Sequence, residues 1–324
     1  MALVWIAVAV ALVLLIPFAY QRLYRHRSLT AGVVEFILRH QDKTGYRHDT
    51  EETLRRKIET NNGLSRYEFP EGFEVKVPVR ETECMGLQCF WMNEHEDSKY
   101  LIFYLPGGGF LHMPKVFHWR FLDRVAQETG AEIFVPIYRR LPQCTVEDAY
   151  PQLVDLYKQI AESRPGRKII LSGDSAGGNI SLVIAEHLIL VGYRQPDEII
   201  PMSPATGYTL KGHEEEFAPY QKACPTMSAV GCNGLGLAWA NGHDMERWQV
   251  APVYGNTKGM GRTTIFVGDR EIFFPSCRAM YEVLQRDGVE SELIVGRGMN
   301  HVYPVMPIPD AKKARKKYCE IVMR

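Results

Sequence analysis

Gly173-Asp174-Ser175-Ala176-Gly177-Gly178-Asn179 follows directly on the apolar run Lys168-Ile169-Ile170-Leu171. This order reads as a strand, a sharp turn carrying a serine, and a helix. A G-x-S-x-G pentapeptide alone says little, because glycine and serine are abundant. Its place between strand and helix is what makes it a nucleophile elbow. Gly173 and Gly177 leave room for a tight turn and a close strand–helix approach. Ser175 is expected at the helix N-terminus, where backbone N–H groups favour a developing negative charge. The competing reading is a glycine-rich βα turn with an incidental serine, and the rest of the chain decides between the two.

Outward from this stretch, strands and helices alternate. Strands are expected at Ile199 to Met202, Thr263 to Val267 and Glu292 to Val295 after the elbow. Before it they are expected at Tyr100 to Tyr104 and Glu132 to Tyr138, with Phe73 to Val79 and Glu83 to Met92 alternating well enough for two more. Helical patterns cover 116–129, 147–163, 176–190, 276–287 and 310–322. Residues 28–63 also read as helical, with Val33, Val34, Ile37 and Leu38 forming an apolar stripe. Such alternation implies an α/β fold, with a mostly parallel central sheet covered by helices on both faces. Residues 204–250 break the rhythm and carry Tyr208, Phe217, Tyr220, Trp239 and Trp248. A structureless loop of that length is unusual, so a partly helical insertion over the strand ends is expected.

An acyl-transfer serine needs a base, an orienting acid and donors aimed at the oxyanion. In folds built on such a nucleophile elbow the chain order is serine, acid, histidine. Of ten histidines, only His301 lies beyond the last expected strand, in Gly296-Arg297-Gly298-Met299-Asn300-His301-Val302-Tyr303. Two carboxylates follow the strand ending near Val267, Asp269 and Glu271, and either can reach His301. The oxyanion donors are suggested by Tyr104-Leu105-Pro106-Gly107-Gly108-Gly109-Phe110, whose glycines let backbone N–H groups face a ligand. A phosphate loop is the rival reading. No Lys-Ser/Thr follows and no G-x-G-x-x-G is completed, which argues against nucleotide binding.

With these residues in view, the chain resembles the hormone-sensitive-lipase-like branch of the α/β-hydrolases, α/β-hydrolase fold-3. The resemblance is carried by the elbow 173–179, the Gly107–Gly109 loop, Tyr138-Arg139-Arg140-Leu141-Pro142-Gln143 and Gly298-Met299-Asn300-His301-Val302, and covers roughly residues 72–322. It implies a serine carboxylesterase or deacetylase acting on small or lipophilic acyl esters, with a cap built partly from N-terminal helices and no metal or organic cofactor. It also implies Ser175, Glu271 and His301 as the triad, Glu271 rather than Asp269 as the acid, and Gly108, Gly109 and Ala176 as the oxyanion donors. Two departures stand out: Pro106 replaces the family's histidine before the glycines, and Gln143 stands where the family usually has glutamate. The alternatives are a relative that binds small molecules without turnover, or an amidase or peptidase using the same triad.

The 324 residues carry zero formal net charge, so nothing points to nucleic acid. The seven cysteines, at 84, 89, 144, 224, 232, 277 and 319, are scattered. Cys84 and Cys89 have no second pair to complete a zinc site, and idle or buried thiols in a reducing compartment are expected. Ala2 to Phe18 contains no polar side chain, and as a helix Met1 to Tyr20 would span roughly 30 Å. Arg22, Arg25 and Arg27 follow at once, with no basic region before the apolar run and no small-residue cleavage site. The expectation is a transmembrane anchor at 1–20, then a linker and N-terminal helices contributing to a cap at 21–71, then one hydrolase domain at 72–324. The lipid bilayer would be a partner through that helix, and the one-sided charge would place the catalytic domain in the cytoplasm.

Overall fold

The computed structural model describes residues 1, 5, 16, 18–40, 46–208 and 214–324. Eight strands form one sheet: β1 (Val79–Cys84), β2 (Leu87–Met92), β3 (Tyr100–Leu105), β4 (Glu132–Pro136), β5 (Lys168–Asp174), β6 (Glu198–Met202), β7 (Thr263–Gly268) and β8 (Ser291–Gly296). Their spatial order is β1-β2-β4-β3-β5-β6-β7-β8. β1 and β2 are antiparallel to each other, and β2 is antiparallel to β4; the other pairs are parallel.

Alternate residues of the central strands feed two cores. Leu101, Phe103 and Leu105 of β3 face one, and Ile102 and Tyr104 the other, as the two-residue period of a strand requires. The first core is covered by three helices, α4 (Val146–Glu162), α5 (Ala176–Leu190) and α8 (Phe274–Arg286), the second by α3 (Val116–Thr129) and α9 (Ala311–Met323). Both faces of the sheet are therefore dry, which explains why β2 to β7 are apolar almost throughout.

The N-terminal edge differs from the sequence reading. Residues 73–78 form no strand, because the N–H groups of Lys76 and Val77 donate to Asp123 Oδ1 of α3, at 2.8 and 3.0 Å, instead of to a neighbouring strand. The expected strand over 83–92 is split. Met85 and Gly86, with φ of 51° and 72°, make the two-residue turn that twisted hairpins favour. The helical reading of 28–63 resolves into α1 (Leu29–His40) and α2 (Glu51–Glu59), with residues 41–45 outside the described set. In the interval after β6 lie α6 (Glu214–Ala223) and α7 (Ala229–Trp239). Tyr46 bridges to Met227, its N–H donating to Thr226 at 2.8 Å, and the Trp239 ring stacks on Phe110 at 4.3 Å. All seven cysteines are free and six are buried.

The expected membrane anchor is corrected. Among the described residues no helix is long and apolar enough to cross a membrane, and residues 2–4, 6–15 and 17 of the apolar stretch lie outside the described set. The arginines read as a topology signal are largely used in packing. Tyr20–Tyr24 forms one π-helical turn, Arg25 Nε donates to the Tyr20 hydroxyl at 3.0 Å, and Arg27 is buried in an ion pair with Glu35. Neither the single-pass anchor, nor the bilayer contact, nor the cytoplasmic placement drawn from them stands.

One core residue was not anticipated. Glu186 of α5 is 1% exposed, and neither of its carboxylate oxygens has a hydrogen-bond partner among the described residues. Burial raises its carboxyl well above the ordinary 4.5. Burial favours its neutral form in the fold, whereas the unfolded chain ionises at the ordinary value, so it opposes folding more strongly as pH rises above 4.5. Denaturant titrations between about pH 5 and pH 8 are expected to find Glu186→Gln more stable than the wild type, with a gap that widens as pH rises. A gap that narrows would mean that the side chain is charged in the fold.

Candidate active site

Ser175 joins β5 to α5 with φ 51° and ψ −118°, a conformation that side chains rarely adopt and that persists only when the surroundings enforce it. Its N–H donates to Met202 at the end of β6, at 2.9 Å. On the other side the helix lies against β3, so that a Cβ on Gly177 would run into the Leu105 carbonyl. Any side chain there would push α5 off the sheet and turn the serine away.

The loops after β7 and β8 bring two more side chains to the serine. His301 Nε2 lies 2.9 Å from Ser175 Oγ, and His301 Nδ1 lies 2.5 Å from Glu271 Oε2. Glu271 is fully buried. Its second oxygen accepts from the Gly268 N–H and the Ser203 hydroxyl, both at 2.7 Å. Asp269, the alternative acid, turns elsewhere: its Oδ1 accepts from the Gly298 N–H at 2.7 Å, bracing the histidine loop, and burial raises its carboxyl.

The glycine loop after β3 is pinned from below. Asp174 accepts from the Gly107 N–H at 3.0 Å, the Tyr104 hydroxyl at 2.7 Å and His118 Nε2 at 3.1 Å. Burial alone would raise the Asp174 carboxyl, but the neighbouring His118, Tyr104 and Gly107 outweigh it and hold it below its ordinary value. Pro106, which carries no side-chain donor, offers only its carbonyl, to the Tyr138 hydroxyl at 2.8 Å. Gln143 accepts from the Gly63 N–H at 2.8 Å, outside the site. Gly108 and Gly109 have φ of 149° and 64°, and among the described residues their N–H groups make no backbone hydrogen bond. Ala176 is the first residue of α5, so its N–H has no acceptor within the helix.

Ser175, His301, Gly108, Gly109 and Ala176 all line one cavity of about 210 Å³. Its walls are mainly apolar, with Met227, Leu235, Tyr208 and Phe273 prominent and Leu38 of α1 contributing. His112 also lines it, and burial, with help from nearby Lys115, lowers that imidazole to about 4, so it faces the cavity uncharged. Among the described residues no cluster of side chains is arranged to hold a metal ion.

The sequence pattern of the alpha/beta hydrolase fold family matches residues 102–305. The chain belongs to the α/β-hydrolase fold family. It is similar to hormone-sensitive lipase: that of Homo sapiens is 35% identical over 114 residues, covering 34% of this chain and 11% of its own. A triacylglycerol lipase of Mycobacterium tuberculosis is 26% identical over 175 residues, covering 54% of this chain and 35% of its own. The chain thus spans about a third of that relative's length. Esterase LipU of the same organism is 24% identical over 238 residues, 70% of this chain and 78% of its own. In three dimensions, the crystal structure of an esterase from the bacterial hormone-sensitive lipase family matches 92% of this chain and 98% of its own with a TM-score of 0.76. At 20% identity that likeness speaks for the fold.

Two contributors to this hydrolase's site were not legible in advance. His118 reaches Asp174 from α3, 56 residues away in sequence, and no local pattern announces it. Ser203 follows β6 with φ 46°. It donates to Glu271 and accepts from the Val302 N–H at 2.9 Å, clamping Glu271 to the residue after His301. Its signal was faint: a serine before Pro204 at a strand's C-terminal end. Ser203→Ala leaves the buried Val302 N–H without an acceptor, a loss of about 1–3 kcal/mol of stability. Denaturant melts should show it, together with a lower kcat on a p-nitrophenyl ester. An unchanged kcat would mean that the Gly268 N–H suffices to hold Glu271.

Proposed function

We propose that Ser175, His301 and Glu271 hydrolyse carboxylic esters through an acyl-enzyme. The chain is a carboxylester hydrolase, as its family and its esterase- and lipase-named relatives support. The observation that carries the mechanism is the unbroken hydrogen-bond line from Ser175 Oγ through both ring nitrogens of His301 to Glu271. In that line Nε2 is free to accept the serine proton only while Nδ1 keeps its own, and the Glu271 carboxylate holds this tautomer.

Ser175 Oγ attacks the ester carbonyl as its proton passes to His301 Nε2. The imidazolium so formed is stabilised by Glu271, whose burial strengthens the attraction. Gly108, Gly109 and Ala176 present N–H groups to the developing oxyanion, in a site where donors are fixed before the charge appears. The tetrahedral species collapses, His301 gives its proton to the leaving alcohol, and the acyl group stays on Ser175. Water then attacks the acyl carbon, losing a proton to His301 Nε2; the second tetrahedral species expels Ser175 Oγ, which takes that proton back, and the acid product leaves. The apolar cavity suits a small or lipophilic acyl group. We assign α1, α2, α6 and α7 to a cap over the strand ends, in keeping with Leu38 and Leu235 lining the cavity.

Ser175→Ala should lower p-nitrophenyl ester hydrolysis by several orders of magnitude with the fold intact, since the covalent route is gone while binding remains. More than about a tenth of the wild-type rate surviving would assign the nucleophile elsewhere. The two carboxylates are separable in the same assay. Glu271→Gln is expected to lose on the order of 10⁴ in kcat through the wrong tautomer, whereas Asp269→Asn, which keeps an acceptor for Gly298, should lose far less. The opposite ranking would give the acid's role to Asp269.

A further inference from the structure

A second cluster of charge lies beside the site, around Glu35 of α1. This carboxylate is 6% exposed and meets three guanidinium groups. Arg27 Nη1 bonds Oε2, while Arg39 and Arg270 each bring Nη2 to Oε1, at 2.8 and 2.9 Å. The three arginines come from different places. Arg27 lies on the segment entering α1, and its Nη1 also donates to the Gly298 carbonyl at 3.0 Å. Arg39, near the end of α1, also donates to the carbonyls of Lys222 and Ala223 at the end of α6. Arg270 immediately precedes Glu271, and its N–H donates to the Met299 carbonyl at 3.0 Å.

One carboxylate therefore joins the N-terminal segment, both cap regions and the two loops that deliver Glu271 and His301. The fit is close. Gly298 has φ 71°, and a Cβ there would meet the Arg25 carbonyl. Burial would raise the Glu35 carboxyl, but Arg270 and Arg27 outweigh it and hold it at about 2. Without this anion, Arg27 and Arg270 would be neighbouring cations with little solvent, and breaking such a buried set is strongly unfavourable. The simplest relief is for the two loops to move apart.

We propose that Glu35 is a positioning residue of this hydrolase, holding Glu271 and His301 in register with the helix whose Leu38 lines the cavity. The proposal rests on the Ser175–His301–Glu271 reading above. It makes alignment of the reacting groups depend on the seating of α1. A misplacement of about 1 Å in such groups can lower a rate on the order of 10²-fold.

The test uses the full-length chain with Glu35→Gln and Glu35→Asp, assayed well below their melting temperatures. It reads kcat and KM on p-nitrophenyl acetate, and the rate at which a diethyl phosphate ester labels Ser175. Glu35→Gln is expected to lower kcat and the labelling rate together by at least about tenfold with KM nearly unchanged, and Glu35→Asp to recover most of the loss. If Glu35→Gln does not fold, Arg270→Lys keeps the charge but loses the paired contact in which Arg270 Nε and Nη2 reach the two Glu35 oxygens at 3.4 and 2.9 Å. It is then expected to show the same pairing of lowered kcat and slowed labelling. A folded Glu35→Gln, or in its place Arg270→Lys, within about twofold of wild type on both readouts would overturn the proposal, whatever its melting temperature. Wild-type label found on a residue other than Ser175 would instead remove the hydrolase mechanism beneath it.

Discussion

Glu271 is a carboxylate without access to water, and such a group is tolerated only when its oxygens are satisfied by the protein. Here the Gly268 N–H, the Ser203 hydroxyl and the His301 ring satisfy them. These partners come from the end of β7, the end of β6 and the loop after β8. Satisfying one buried charge thus fixes three strand ends relative to one another. Ser203 extends the constraint by accepting from Val302, so the histidine cannot shift without stranding a buried N–H. The serine is held by the contact between α5 and β3 and by its N–H bond to Met202, next to Ser203 at the end of β6, and there it meets the histidine.

The parallel sheet makes that convergence possible. Its strands β3, β5, β6, β7 and β8 run the same way, so the loops that follow them gather at one edge. The glycine loop, the elbow, Ser203, Glu271 and His301 each follow one of these strands. Asp174 serves both the elbow and the glycine loop, linking the residue before Ser175 to the Gly107 N–H. In this chain His118 completes that link from α3, while Pro106 contributes backbone alone.

The N-terminal region is part of this assembly. Ser28 donates to Asp310, Asn61 donates to the Leu111 and Leu141 carbonyls at 3.0 and 2.6 Å, and Glu35 gathers Arg27, Arg39 and Arg270. Polar and ionic bonds dominate these joins, where α1 leaves Val33, Phe36 and Ile37 exposed. The apolar stripe read along α1 was therefore an incomplete guide: Leu38 does face the cavity, but α1 is held chiefly by a charge in its middle.

What the sequence determined by itself was whatever depends on local pattern and chain order. The helices at 116–129 and 176–190 fall where apolar periodicity put them. The elbow is legible because its glycines and serine are contiguous, and Ser175, Glu271 and His301 come in that order because each follows a later strand of the sheet. Other features needed the tertiary structure. Asp269 and Glu271 are equivalent to any local reading; the resemblance to a family preferred Glu271, but only the fold brings Gly298 to one and His301 to the other. The hairpin at Met85-Gly86 and the docking of 76–77 on Asp123 depend on partners distant in sequence. The role of Arg27 is the clearest case. Beside an apolar run it reads as a charge flanking a membrane span, yet it is buried against Glu35 and Gly298. A charge takes its meaning from the counter-charge it meets, and that counter-charge lies where folding, not the neighbouring sequence, puts it.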